Sequence, residues 1–199
     1  MARVHRHELG LSWLMDDPME RGCHALRADD GRVWLVDPAQ DDAALAAVAE
    51  LGPAAGVLQL LDRHARDCAA IAAALGVPHL RQPEALPETP FTVLRVVRNP
   101  LWKEVALWWP ARRALVVAEA LGTAAAFAVG DGPVGVHPLR RLLPPSMLRG
   151  LGPQHLLVGH GPPLHGPEVA AQVDRAIARS RHDVPKLLRK LPTLIRSAR

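Results

Sequence analysis

Three short apolar runs, Gly56 to Leu61, Ala114 to Ala118 and His155 to Val158, each give way to side chains able to hold a metal ion or a proton. Asp62, His64 and Asp67 follow the first run, Glu119 the second and His160 the third. Apolar stretches this short, bounded by polar or glycine-rich turns, read as buried strands. Strands of that kind belong to a layered α/β architecture, in which helices cover sheet faces. Loops at the strand ends can then converge on one cleft while the sheet supplies rigidity.

The rest of the pattern extends that architecture in both directions. Leu11 to Met15, Cys23 to Ala28 and Arg32 to Val36 read as an antiparallel meander, with Asp29-Asp30-Gly31 as a hairpin turn and Asp37-Pro38 as its end. Asp41 or Asp42 caps a helix predicted from Ala43 to Leu51, which Gly52-Pro53 stops. After Gly56 to Leu61, the charged turn Asp62 to Asp67 leads into an alanine-rich helix, Cys68 to Leu75, ended by Gly76. Val77 to Leu80 then completes a βαβ-like unit. Beyond a loop through Pro83, Pro87 and Pro90 comes a second strand set: Phe91 to Val97, Glu104 to Trp109 and Ala114 to Ala118, with Pro110 to Arg113 as a hairpin loop. Helical segments are expected around Leu139 to Leu151, broken by Pro144-Pro145, before the strand His155 to Val158. A helix from Glu168 to Arg181 and a basic one after Pro185 close the chain.

Bulk properties narrow the class. The 199 residues, 49% hydrophobic and 22% charged, suit one globular domain over residues 1–199. No apolar run approaches the roughly 20 residues of a membrane span, and the basic N-terminus lacks an apolar signal core, so a cytoplasmic location is expected. Cys23 and Cys68 form no CxxC pair and read as free thiols, Cys68 as a buried apolar residue in preference to a nucleophile. The segment at about 183–199 is strongly basic. Its expected form is an amphipathic helix laying Leu187, Leu188 and Leu191 on the core. Without aromatic stacking residues or a recognition motif, that segment does not point to nucleic acid, nor specifically to an anionic membrane surface.

Each candidate site residue carries two readings. Asp62 and Asp67 can ligate a metal or cap the helix that follows, with Arg63 and Arg66 as their partners. His64 can be a ligand or a hydrogen-bonded structural histidine, and Glu119 a ligand or a helix-start carboxylate. In Gly159-His160-Gly161-Pro162-Pro163 the glycines allow close backbone approach and present the imidazole at a tight turn, which favours a functional role for His160.

Taken in order, from about Leu11 to about Ala176, these segments resemble the metallo-β-lactamase superfamily. Val33-Trp34-Leu35-Val36-Asp37-Pro38 is similar to the strand whose terminal Asp supports that family's site from behind. Val57 to Asp67 lies where the family has a strand followed by His-x-His-x-Asp-His. Leu115-Val116-Val117-Ala118-Glu119 is similar to the strand supplying the bridging carboxylate, and Leu157-Val158-Gly159-His160-Gly161-Pro162 to the final ligand turn. The resemblance implies a four-layer αββα sandwich and a metal-dependent hydrolase. The motif is altered, however. Asp62 stands for its first His, His64 keeps the second, Arg66 replaces its Asp and Asp67 its last His. Glu119 takes the place of the bridging Asp, and the middle histidine expected in Asn99-Pro100-Leu101-Trp102 has no counterpart.

Arg66 is a permanent cation that neither binds a metal nor takes a proton, so a two-metal site is disfavoured. Two readings follow. One is a single-metal hydrolase of an ester, thioester, amide or phosphoester, its ion (zinc, iron or manganese) drawn from His64, His160, Glu119, Asp62 and Asp67, with Asp37 and Arg66 as the surrounding network. Trp102, Trp108 or Trp109 would line its cleft, Trp108 and Trp109 pointing to opposite faces. The other is a non-catalytic member without metal that binds a small molecule or protein, Arg66 pairing with Asp62, Asp67 or Glu119 where the metals were.

Overall fold

The computed structural model describes residues 2–197, with side-chain surroundings through residue 190. Its first sheet runs β1 (Arg3–His7), β2 (Gly10–Leu14), β3 (Gly22–Arg27), β4 (Val33–Val36), β5 (Ala54–Gln59) and β6 (His79–Arg81), side by side in that order. The first four pair antiparallel, and β4–β5 and β5–β6 are parallel. The β3–β4 turn is the expected one: Asp30 accepts from the backbone and side chain of Arg32, and Gly31 takes a φ of 83°. Parallel pairing demands crossovers, supplied by α1 (Asp42–Ala49) and α2 (Cys68–Leu75). Asp41 caps α1 by accepting from Ala44 N at 3.0 Å, and Gly76 ends α2 in the left-handed region.

Along the chain then come β7 (Thr92–Asn99), β8 (Trp102–Trp109), β9 (Ala114–Val117), a two-stranded ladder of β10 (Leu121–Gly122) and β11 (Gly135–Val136), β12 (His155–Val158) and β13 (Leu164–His165). The second large sheet has the spatial order β13-β12-β9-β8-β7, with β9 and β12 parallel. Its outer face is covered by α3 (Val169–Arg179), whose Val169, Val173 and Ile177 meet Leu115, Val117, Leu156 and Val158. The first sheet's outer face packs Leu35 and Val57 against Ala44, Val48, Ile71 and Ala72 of α1 and α2. Between the sheets, Trp34, Val36, Leu58 and Leu60 oppose Leu107, Trp109, Val116 and Leu157. The order of layers is therefore α, β, β, α, as expected.

At one end the two sheets are stitched together. Leu61 bridges Glu104, and Arg21 bridges His160. Backbone bonds from Val105 N to Leu60 O and from Gly22 N to Gly159 O, both 2.9 Å, reinforce the seams. Those seams bring the turns after β5, β9 and β12 to the same end.

Several expectations are corrected. β1 was not expected: its Arg3-Val4-His5-Arg6-His7 has no apolar face, and it is a mostly exposed edge strand whose charges suit an edge. Residues 139–151 hold no α-helix, only 3₁₀ turns at Pro138–Arg140 and Ser146–Leu148, because Pro138, Pro144 and Pro145 remove backbone donors. The two-residue strands β10, β11 and β13 are too short to leave a periodic signature. In α4 (Val184–Ser197), Leu187 is half-buried but Leu188 is 62% exposed, since adjacent helical residues point about 100° apart. Leu191 lies outside the described side chains. Trp109 is buried between the sheets and Trp108 packs on the outer cluster, so of the three tryptophans it is Trp102 that borders the candidate site. Among the described residues, no helix is long and apolar enough to cross a membrane.

Candidate metal centre

Beyond β5 the chain turns sharply. Gln59 Nε2 donates to Leu61 O at 2.8 Å and Asp62 O at 3.2 Å, and His64 N–H donates back to Leu61 O. This turn aims the His64 ring inward, leaving the residue 5% exposed. Its Nδ1 lies 3.0 Å from Asp37 Oδ2, so that nitrogen carries the proton and donates it. Asp37 is held in turn by Leu60 N–H, which donates to its Oδ1 at 2.9 Å, and it sits at a φ of 44° just past β4. Asp37 thus supports His64 from behind, the arrangement that fixes a ligating imidazole's tautomer and direction.

His160 is treated the same way by a different loop. Its Nδ1–H donates to Met19 O at 2.8 Å. Its flanking glycines answer steric demands: a Cβ on Gly159 would fall 2.8 Å from His64 Cε1, and Gly161 has a φ of 94°. With each Nδ1 proton committed, the neutral form of either ring, the form that ligates a metal, has its lone pair on Nε2, and the two Nε2 atoms lie 3.3 Å apart.

Glu119 supplies the third group. Its Oε1 stands 3.4 Å from His64 Nε2 and 3.7 Å from His160 Nε2. The turn carrying it is anchored by Glu104, which is fully buried: Glu104 Oε1 accepts from Glu119 N at 2.8 Å and Ala120 N at 2.7 Å, and Oε2 accepts from Trp102 Nε1 at 3.1 Å. Burial pushes the Glu104 carboxyl upward, against those hydrogen bonds. Glu119 is shifted the other way. Its own burial opposes charge, but the His160 and His64 imidazoles beside it, when protonated at Nε2, outweigh burial and hold it well below the usual carboxylate range. Burial also opposes charge on His64, yet Asp37 and Glu119 outweigh it and raise its pKa.

These three side chains are the potential metal-ligating cluster among the described residues. Metal–nitrogen bonds of about 2.0–2.1 Å in a tetrahedron separate neighbouring ligand atoms by about 3.3–3.4 Å. The observed 3.3, 3.4 and 3.7 Å edges fit one face of such a tetrahedron and leave a fourth position. The donor set, two imidazoles and one carboxylate, is one that binds zinc or iron.

The other predicted residues fall elsewhere. Asp62 Oδ2 accepts from Lys103 N at 3.0 Å, pinning the seam to β8. Asp67 Oδ2 accepts from Gln40 N at 2.8 Å and makes no side-chain cap on α2. Neither joins the cluster. The expected pairing of Arg66 with carboxylates is not formed: its Nη1 donates to Gly22 O and Asp37 O, and its Nη2 to Gly159 O at 2.9 Å. Arg63, not Arg66, reaches the carboxylate, donating to Glu119 Oε2 at 3.0 Å while its guanidinium lies 4.1 Å from the centre of the Trp102 ring. Cys68 is buried beneath the turn and its thiol is pushed up to about 12, chiefly by burial.

His137 was missed by sequence reasoning. It follows β11, outside any apolar run that would mark it, and its only local cue is the Pro138 after it. Its Nδ1 accepts from Leu139 N at 3.2 Å, which leaves the proton of the neutral ring on Nε2, 3.6 Å from Glu119 Oε2. Burial, aided by Arg63, His160 and Arg140, lowers its pKa to about 4 despite Glu119. His137 is therefore a neutral N–H donor toward Glu119, not a further ligand.

A four-layer αββα sandwich with a histidine–carboxylate cluster at the stitched sheet ends is the metallo-β-lactamase fold. No family model and no curated protein matches the sequence. Solved structures match its fold. The DIM-1 metallo-β-lactamase superposes with a TM-score of 0.57 at 13% identity, covering 90% of this chain and 97% of that one. The apo chemotaxis sensor ODP from T. denticola gives 0.56 at 14%, covering 91% and 93%. The protein TTHA1623 in a di-iron-bound form gives 0.51 at 20%, covering 78% and 95%. Identities this low establish the fold alone.

Proposed function

We propose that this protein is a hydrolase of an ester, thioester, amide or phosphoester that uses one divalent ion held by His64, Glu119 and His160. The observation that carries this reading is the meeting of two Nε2 atoms 3.3 Å apart with Glu119 Oε1 at 3.4 and 3.7 Å from them, both Nδ1 protons being tied off behind. A divalent ion in that place supplies Lewis acidity, polarising a carbonyl or phosphoryl oxygen and making water nucleophilic near neutral pH.

The remaining residues define how the site handles charge. Arg63 and His137 both face Glu119 Oε2, leaving Oε1 for the ion. Arg66 puts a fixed cation where the family motif has a metal-binding Asp, which supports one ion over two. Iron is bound as a pair in TTHA1623, whereas the donors gathered here suffice for one ion, zinc, iron or manganese. We place the protein in the cytoplasm as a single domain, a reading supported by its two free, buried thiols.

A non-catalytic role is favoured by one observation: the residues at the first and last motif histidines, Asp62 and Asp67, serve as backbone acceptors. Elemental analysis of untagged protein purified without chelators separates the readings. One equivalent of metal, lost in His160→Ala and accompanied by a fall in Tm on chelation, supports the hydrolase. Metal-free native protein, stable to chelators, supports the binder.

A further inference from the structure

Around the three ligands the charge and the apolarity are arranged in two shells. Trp102 forms a platform beside the cluster, its ring 4.9 Å from that of His137 at an interplanar angle of 89°. Two guanidiniums lie over this ring, Arg63 at 4.1 Å and Arg140 at 5.7 Å from its centre. Arg63 shares Glu119 with the ligand histidines. Arg140 has no carboxylate within ion-pair distance among the described residues. Its Nη2 reaches Leu143 O at 3.3 Å, and its Nη1 is buried with no acceptor. A half-buried guanidinium with no carboxylate partner among the described residues keeps its charge available, and an oxyanion is the group that matches it in charge and shape.

Outside that cationic shell stand side chains of the opposite character. Leu101, next to Trp102, is 86% exposed, Leu139 is 82% exposed and Leu143 is 75% exposed. Met19 is 52% exposed. Each is tied to the site through backbone. Met19 O accepts from His160, Leu139 N donates to His137, Leu143 O accepts from Arg140, and Leu101 adjoins Trp102. Four large apolar side chains on loops that converge on one centre are more than scattered exposure accounts for.

We propose that the substrate of this centre is an amphiphilic anion, with a phosphate or carboxylate seated against Arg63 and Arg140 over Trp102 and an apolar body against Met19, Leu101, Leu139 and Leu143. The inference rests on the hydrolase reading for its word substrate, but the binding site it names exists with or without the ion. Uncharged compounds lack the charge that complements Arg63 and Arg140, and small inorganic anions leave the leucine rim unused.

The test is calorimetric titration of the full chain, as purified and after chelation, with hexyl phosphate, hexanoate, inorganic phosphate and 1-hexanol. Hexyl phosphate or hexanoate is expected to bind at least about tenfold more tightly than either inorganic phosphate or hexanol. The better of the two identifies the head group. Arg140→Ala and Arg63→Ala are each expected to weaken it about tenfold. Leu139→Ser with Leu143→Ser should reduce hexyl phosphate to the level of inorganic phosphate while leaving the latter unchanged. Equal binding by the arginine variants, hexanol matching the anions, no binding of either amphiphile in either form, or leucine variants that change only the oligomeric state would each overturn the proposal. Metal content, measured on the same samples, scores the hydrolase reading separately: amphiphile binding without metal sinks that reading and leaves this one standing.

Discussion

Arg66 donates its Nη2 proton to Gly159 O across the two sheets, in the peptide immediately before His160. The same guanidinium holds Gly22 O at the start of β3 and Asp37 O beyond β4, so one side chain ties together three turns that bear on the centre. Arg66→Ala would take a charged donor from all three carbonyls in a partly buried place, Gly159 O alone keeping the backbone bond from Gly22 N, a loss of about 2–4 kcal/mol. Arg66→Lys should recover little of it, because a single ammonium cannot reproduce the geometry of two amino groups on a planar fork. Urea unfolding of the two variants checks this. A loss below about 0.5 kcal/mol for Arg66→Ala would show that the clamp is dispensable.

The division between ligands and scaffold predicts a second pattern. His64→Ala, Glu119→Ala and His160→Ala should each abolish stoichiometric metal, while Asp62→Ala and Asp67→Ala should retain it, since those carboxylates are engaged by Lys103 N and Gln40 N. Metal-to-protein ratios read this directly. Loss of metal in Asp62→Ala or Asp67→Ala with an unchanged Tm would return that residue to the ligand set.

Acid should destabilise the protein through a second histidine group, away from the centre. His24 Nε2–H donates to Val158 O at 3.0 Å, Ser12 donates to His24 Nδ1 at 2.8 Å, and His7 Nε2–H donates to Ser12 Oγ at 2.9 Å. The Ser12 link requires a neutral His24, because Nδ1 must keep its lone pair to accept. Burial lowers His24 to about 4 and His7 to about 3, the latter aided by His165, and lowers His155 and His165 as well. The folded pKa values thus lie below the unfolded ones, so the stability these neutral rings supply is complete above about pH 6.5 and is lost as pH falls toward 4. From pH 7 to pH 5, His24 alone should account for about 2 kcal/mol. Unfolding free energies across that range test it, and His24→Gln should flatten the acid limb.

What could be read from the residues was whatever is local. The βαβ unit from β5 through α2 to β6 was legible because its apolar runs and Gly76, like Asp41 at the start of α1 before it, are signals carried by neighbours in the chain. His64, Glu119 and His160 were legible because strand ends are shared by position. The assignment of Arg66 to carboxylates went astray because a charge argument ranks partners by sign, whereas the seam placed three carbonyls nearer than any acid. His137 and Glu104 left no usable mark of their roles on their neighbours in the chain. The first lies in a proline-broken stretch, and the second reads as one polar residue in a strand until its bonds to Glu119 N and Ala120 N are seen.

Glu104 gives the last prediction. It meets three N–H donors and no cation at hydrogen-bond distance, so its energetic role is to satisfy Glu119 N, Ala120 N and Trp102 Nε1 inside a buried wall. Glu104→Ala leaves all three without an acceptor and should cost about 2–4 kcal/mol, freeing the turn that aims Glu119. Glu104→Gln keeps an oxygen for the two backbone donors but sets an amide N–H₂ against the indole N–H, so it should retain more stability than Glu104→Ala. If the positioning of Glu119 depends on this carboxyl, metal affinity will fall in Glu104→Ala beyond what the stability loss accounts for, and recover in Glu104→Gln. Equal metal affinity in both variants and the parent, measured by competition with a chelating dye below their melting points, would confine Glu104 to the core.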